Sequence, residues 1–189
     1  TAEFEFDEFN DNTEVIQVDL RGASVDLSGL TFLGDTTNAQ FELLGDGHTS
    51  ETITGTSLRD IITGGGSDGD TLNGAGGDDL ITGNADGDVI DGGANDAGGD
   101  TLTYEGGSIG VRVNLDTGTG RGGDAQGDLI SNVENLIGTG QNDALIGNDD
   151  ANVLNGGSGL DTLLAGGGTD VLNGEDGNDR LFGLDGNDT

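Results

Sequence analysis

A period of nine residues, with glycine at its first position, runs through most of this chain and limits what it can fold into. The clearest copies read Gly-Ala-Gly-Gly-Asp-Asp-Leu-Ile-Thr at 74–82, Gly-Asn-Ala-Asp-Gly-Asp-Val-Ile-Asp at 83–91, Gly-Gly-Ser-Gly-Leu-Asp-Thr-Leu-Leu at 156–164 and Gly-Glu-Asp-Gly-Asn-Asp-Arg-Leu-Phe at 174–182. The same frame covers 55–63, 138–146, 147–155, where Asn152 replaces the aspartate, and 165–173, which opens on alanine. Two copies are stretched, 64–73 by one residue and 92–103 by three, and both still close on Asp, any residue, Leu. The informative regularity is the offset between the acid at position six and the aliphatic at position eight.

Residue type dictates how one repeat folds. Glycines in the first four positions permit positive φ and close backbone approach, so six residues can make a tight turn with carbonyls aimed inward. The last three form a short strand, in which alternate side chains point to opposite faces. Position eight then faces a common interior, stacking Ile62, Leu72, Ile81, Ile90, Leu102, Leu145, Leu154, Leu163, Leu172 and Leu181. The expected fold class is all-β, a parallel β-roll or β-helix solenoid of nonapeptide rungs. One apolar residue in nine is a thin core, too little burial to offset the entropy of ordering so glycine-rich a backbone. Something else must hold the turns.

Charge identifies it. The chain carries 37 Asp+Glu against 5 Lys+Arg, a formal charge of −32. Stacking equivalent turns would bring position-six carboxylates close together, and two bare carboxylates about 4 Å apart repel by roughly 4 kcal/mol at an effective dielectric of 20. A hard divalent cation between them reverses the sign. Ca²⁺ accepts six to eight oxygens from carboxylates and backbone carbonyls in flexible geometry, whereas Mg²⁺ prefers to keep its water. Zn²⁺ would want His or Cys, and the chain has one His and no Cys. Calcium is therefore the expected cofactor, as several ions. The same charge argues against nucleic acid and against insertion into an anionic membrane. No disulfide framework can exist without cysteine. No apolar run is long enough to cross a bilayer as a helix. No His-Glu-x-x-His motif or nucleophile–base pair is present, and carboxylate pairs that recur in every turn suit a ladder of ions better than one active site, so no enzyme activity is expected.

At these residues the chain resembles the RTX (repeats-in-toxin) family, the haemolysin-type calcium-binding repeats with the nonapeptide Gly-Gly-x-Gly-x-Asp-x-aliphatic-x. The resemblance covers residues 55–188 with one interruption. It implies a right-handed β-roll with two nonapeptides per turn, so that each ion lies between one bend and the bend two repeats later. That pairs Asp60 with Asp79, Asp70 with Asp88, Asp79 with Asp100, Asp143 with Asp161, Asp161 with Asp179 and Asp170 with Asp188. Backbone carbonyls, among them those of Gly74, Gly76, Gly83, Ala85, Gly156, Ser158, Gly174 and Asp176, would complete the shells. Asn152, facing Asp170, brings no charge and is expected to leave a weaker or missing ion. Glu51, Asp128 and Glu134 close irregular rungs and are further candidate ligands. The resemblance also implies type I secretion and an extracellular location.

The chain divides into a strand-rich segment at 1–44, a first array at 45–103, an insert at 104–137 and a second array at 138–189. The first segment is expected either to cap the solenoid or to end a preceding domain. Residues 45–54 look like a degenerate first repeat. The insert alternates in Gly110-Val-Arg-Val-Asn-Leu115, passes through a glycine-rich loop at 118–127 and regains the frame at Asp128 and Glu134, the pattern of a bulging rung. His48 reads as an exposed loop residue and Tyr104 as rung packing. The start lacks a basic region and apolar stretch, and the last repeat stops before its aliphatic, so further sequence is expected on at least one side. Three functions fit these features: a calcium-driven folding module of a larger secreted bacterial protein, a structural piece of a cell-surface layer or adhesin, or an appendage of a secreted enzyme. Partners beyond calcium and the secretion machinery would be a second copy or a surface polysaccharide.

Overall fold

The strand triplets at the end of each repeat form because an aliphatic sits between two residues that tolerate solvent. Thr71–Asn73, Val89–Asp91 and Val153–Asn155 each run exposed, buried, half-buried. The structure is a computed structural model that describes residues 15–19, 24–29, 40–66 and 68–189. Among these, strands alternate between two facing sheets. One contains, in spatial order, Val15–Asp19, Gln40–Leu44, Asp60–Thr63, Leu80–Thr82, Thr101–Thr103, Asn135–Ile137, Val153–Asn155 and Val171–Asn173. The other runs Val25–Asp26, Thr52–Thr54, Thr71–Asn73, Val89–Asp91, Leu129–Ser131, Thr119–Arg121, Arg112–Asn114, Ala144–Ile146, Thr162–Gly168 and Arg180–Gly186. Consecutive strands of the chain lie in opposite sheets outside the insert, so two repeats complete one coil and neighbours within a sheet pair in parallel.

Register places the position-eight residues on top of one another. Ile53, Leu72 and Ile90 align across one sheet, Ile62, Ile81 and Leu102 across the other. All six are fully buried, as are Leu145, Leu154 and Leu163. The expected stack loosens at its last two members. Leu172 is half-buried and Leu181 is 46% exposed, because each lies in the last strand of its sheet and has a neighbour on one side alone. The described parts of residues 1–44 extend both sheets as further parallel strands, with Phe41 and Leu43 joining the same core. Most of that segment, including Phe4, Phe6, Phe9 and Phe32, lies outside the described residues.

The turns are hydrogen-bonded from coil to coil as well. Gly76 N–H donates to Thr56 O, Gly167 N–H to Asn148 O and Asp176 N–H to Gly157 O, each at 3.0 Å. Ser158–Gly159 and Asp176–Gly177 pair closely enough to form a small third sheet. The three-residue expansion before Asp100 is held by Asp78, whose carboxylate accepts the Asp96, Gly98 and Gly99 N–H groups at 2.9–3.0 Å.

The insert departs from a purely parallel solenoid. Arg112–Asn114 and Thr119–Arg121 form an antiparallel pair wedged between Leu129–Ser131 and Ala144–Ile146. In the facing sheet Asn135–Ile137 and Val153–Asn155 are directly adjacent. One face is therefore wider by two strands, about 10 Å at the usual interstrand spacing. Tyr104, Val111, Val113, Ala125, Ile130 and Val133 fill the extra interior. Gly120 takes the inward position opposite Val113, where a Cβ would lie 2.6 Å from Ala125 O; the buried methyl of Ala125 covers that space instead.

Candidate metal centre

Stacked bends bring the position-six side chains into two columns. In each step the carboxylate of one coil accepts the N–H of the position-six residue in the coil before it. On one side Asp60 N–H donates to Asp79 Oδ1, Asp79 N–H to Asp100 Oδ1 and Asp100 N–H to Glu134 Oε2, at 2.8–2.9 Å. Farther along, Asn152 N–H donates to Asp170 Oδ1 at 2.9 Å and Asp170 N–H to Asp188 Oδ1 at 3.1 Å. On the other side Glu51 N–H donates to Asp70, Asp70 N–H to Asp88 and Asp88 N–H to Asp128, at 2.7–3.0 Å. This second column resumes beyond the hairpin, where Val111 N–H donates to Asp143, Asp143 N–H to Asp161 and Asp161 N–H to Asp179, at 2.7–2.9 Å. All six pairs that the family resemblance implies are thus neighbours, together with Glu51, Asp128 and Glu134.

Burial decides which of these carboxylates are under stress. Asp60, Asp70, Asp79, Asp88, Asp100, Asp128, Asp143, Asn152, Asp161, Asp170 and Glu51 are buried, while Glu134, Asp179 and Asp188 are half-buried. One carboxylate oxygen is spent on the ladder bond. Among the described residues the other is buried without any donor at Asp79, Asp88, Asp100, Asp161 and Asp170 Oδ2; Glu51 accepts the Thr49 hydroxyl with Oε1 at 3.0 Å and leaves Oε2 bare. An unsatisfied buried acceptor costs about 1–3 kcal/mol, more when charged. Withdrawal from water, reinforced by neighbouring carboxylates, pushes Asp79 and Asp88 up to about 8 and Asp100 to about 6. Burial also raises Asp60 to about 6, and lifts Asp70, Asp128, Asp143, Asp161 and Glu51 above the ordinary carboxylate range.

Oxygens from successive coils converge at the position-one glycines. A Cβ at Gly55 would sit 2.5 Å from both Asp60 Oδ2 and the Gly74 carbonyl oxygen. At Gly138 it would sit 2.5 Å from Asp143 Oδ2 and 2.7 Å from the Gly156 oxygen. The Gly83 oxygen approaches Asp70 Oδ2 at Gly64 in the same manner. Among the described residues no three His, Cys, Asp or Glu side chains gather at one point. A cation here would draw on paired carboxylates plus backbone carbonyls, and that all-oxygen set of donorless acids and converging carbonyls fits Ca²⁺.

Four positions stand apart from the donorless oxygens. Thr56 and Thr139, at position two, each give Asp60 or Asp143 a backbone N–H at 2.7 Å and approach it with a hydroxyl at 3.1 Å. Asn152 satisfies itself, accepting Asn148 N–H at 2.9 Å and donating Nδ2 to Glu134 O at 2.7 Å. Asp128 receives the Tyr104 hydroxyl at 2.7 Å. Tyr104 is more than packing: it is buried, and that burial, with Asp128 beside it, holds its hydroxyl protonated well above the usual tyrosine value. Threonine at position two was a readable signal that the nonapeptide frame passed over. Nothing local in the sequence announced the Tyr104 contact, which the insert creates.

Two facing sheets of parallel rungs, with acidic bends stacked in columns and oxygens lacking donors, define a cation-binding β-roll. A family model of four RTX calcium-binding nonapeptide repeats matches residues 64–102, 131–163 and 156–189, together more than half of the chain. The chain belongs to the RTX calcium-binding repeat family, and its repeats bind Ca²⁺. A search of curated proteins finds no match.

Proposed function

We propose that the chain is a calcium-driven folding module of a larger secreted bacterial protein, unfolded where calcium is scarce and folded once outside the cell. The observation that carries this reading is the set of buried carboxylate oxygens with no donor. Without a cation they oppose the coil that the strands favour, and with one they join its neighbouring turns. The ions would be held by the paired carboxylates of Asp60, Asp70, Asp79, Asp88, Asp100, Asp143, Asp161, Asp170, Asp179 and Asp188. Carbonyls of Gly74, Gly76, Gly83, Ala85, Gly156, Ser158, Gly174 and Asp176 would complete the shells. Glu51 and Glu134 extend the columns, while Asn152 and Asp128, already satisfied by neutral partners, would contribute least. Bound Ca²⁺ supplies charge neutralisation and a cross-link between coils; the chain's own residues supply the register that aligns them. Residues 45–103 and 138–189 act as two ion-loaded arrays separated by the insert at 104–137. The family supports export through a type I system and the absence of catalysis in the repeats.

Circular dichroism during calcium titration tests the reading. A cooperative gain of β-structure is expected in the sub-millimolar to millimolar range of extracellular calcium modules, roughly 10⁻⁴–10⁻³ M. Identical spectra in chelator and in calcium would overturn it.

A further inference from the structure

Two of the five basic residues face each other on one hairpin. Arg112 in Arg112–Asn114 is the register partner of Arg121 in Thr119–Arg121, and both side chains are exposed. Directly opposed side chains in an antiparallel pair have Cβ atoms about 4.5–5.5 Å apart, where like charges repel. The chain holds 37 acids, yet neither guanidinium makes a hydrogen bond or ion pair with any described residue. The nearest acids in sequence do not meet them. Asp116 lies in the connecting turn, at the far end of the hairpin, and Asp124 turns toward Gly107 and the Tyr104–Asp128 side.

The pair borders a cavity of about 360 Å³ lined by Arg112, Asn114, Thr117, Thr119 and Arg121. Its lining is rich in donors. Each guanidinium offers five N–H groups. Asn114 spends its oxygen on Thr117 N–H at 2.9 Å, which leaves its amide N–H₂ free to donate. The Thr117 and Thr119 hydroxyls share one hydrogen bond at 2.9 Å, so one of their two protons remains for a ligand. No aromatic or aliphatic side chain lines the cavity, so a sugar or other organic ring finds no apolar wall.

We propose that this cavity docks the carboxylates of an acidic turn on a second copy of the chain. A forked, planar donor pair is matched to carboxylate. The chain itself, at −32, is a dense carboxylate source, with exposed turn acids such as Asp149, Asp150 and Asp185. Two copies at that charge repel at long range, so the contact forms after calcium has neutralised the turns; to that extent it rests on the calcium reading above.

Sedimentation of the full chain over a concentration series, with calcium and with chelator, tests this against two double variants of equal charge. R112Q/R121Q removes the pair, while R59Q/R180Q removes two arginines outside the cavity. Support would be calcium-dependent self-association of the wild type that R59Q/R180Q retains and R112Q/R121Q weakens about tenfold or more. Dichroism and calcium calorimetry on the same samples report folding and ion binding separately. Wild-type chain that folds with calcium yet stays monomeric up to roughly 1 mM would overturn the proposal. Equal loss in both double variants would overturn it too, as would a monomer that instead captures an acidic polysaccharide through the pair. If no calcium binds, the calcium reading fails and the docking proposal that rests on it fails with it; a chain that binds calcium and folds without associating overturns the docking proposal alone.

Discussion

Each position in the nonapeptide answers to a separate physical demand, and the demands are visible where this chain departs from glycine or aspartate. Position two takes positive φ at several residues that are not glycine, Ala75 at 73°, Asn84 at 75°, Glu175 at 65° and Leu184 at 71°, but not at Thr56, Thr139 or Asn148. A left-handed backbone costs a side-chain-bearing residue about 1–2 kcal/mol. Leu184 is 64% exposed and gains little from burial in exchange. Leu184→Gly is expected to stabilise the calcium-loaded chain by about 0.5–1 kcal/mol, after allowing about 0.4–1 kcal/mol for the freer unfolded glycine; thermal unfolding would show the rise. Asp161 makes the opposite case, being buried, bonded to Asp143 N–H at 2.8 Å and next in its column to Asp179. Asp161→Ala is expected to remove or weaken two ions by calorimetry and to cost about 1.5–3 kcal/mol from the charge-assisted bond alone. A loss of one ion would contradict sharing between coils.

At the scale of elements, the insert is where the regular column is interrupted. After Asp128 the next step in the spatial order is the antiparallel strand Thr119–Arg121 in place of another acidic bend. No carboxylate follows to bridge to, and the Tyr104 hydroxyl takes up the oxygen that is left bare elsewhere in the column. The sole tyrosine thus caps one block of the ladder, and Asp143 begins the next. Tyr104→Phe would leave a buried acceptor alone and is expected to cost about 1–3 kcal/mol in calcium. Calorimetric ion count should stay unchanged, which separates a cap from a ligand. Alternation at 110–115 pointed to a strand in a bulging rung, and a strand forms at Arg112–Asn114, because alternation is local. It missed the antiparallel wedge, since strand direction within a sheet depends on where a returning segment finds an open edge.

For the whole molecule, proton and calcium compete for the same buried oxygens. Without calcium, Asp79 and Asp88 at about 8 and Asp60 and Asp100 at about 6 hold protons that an unfolded carboxylate would release near 3.9. Folded values above unfolded ones mean that this stability is fully present below about pH 4 and is lost as pH rises through 6 and then 8. In chelator, folded β-structure is therefore expected to increase as pH falls from about 9 to 5, with dichroism as the readout. Calcium affinity over the same interval should fall, because each ion must displace protons; calorimetry at two pH values checks the sign. A calcium-free chain equally unfolded at both ends of the range would contradict the burial of these acids.

The nonapeptide by itself determined the rung, the inward aliphatic and the choice of an oxygen-seeking cation, because turn chemistry, strand alternation and charge repulsion all act within nine residues or between exact repeats of them. Tertiary structure alone decided which acids lack a donor. That depends on the neighbours each carboxylate meets from another coil: Thr56 and Thr139 inside their own turns, Tyr104 from across the core, and none at Asp79, Asp88, Asp100, Asp161 or Asp170. It also decided that Arg112 stands opposite Arg121, a pairing fixed by hairpin register and invisible to a period of nine.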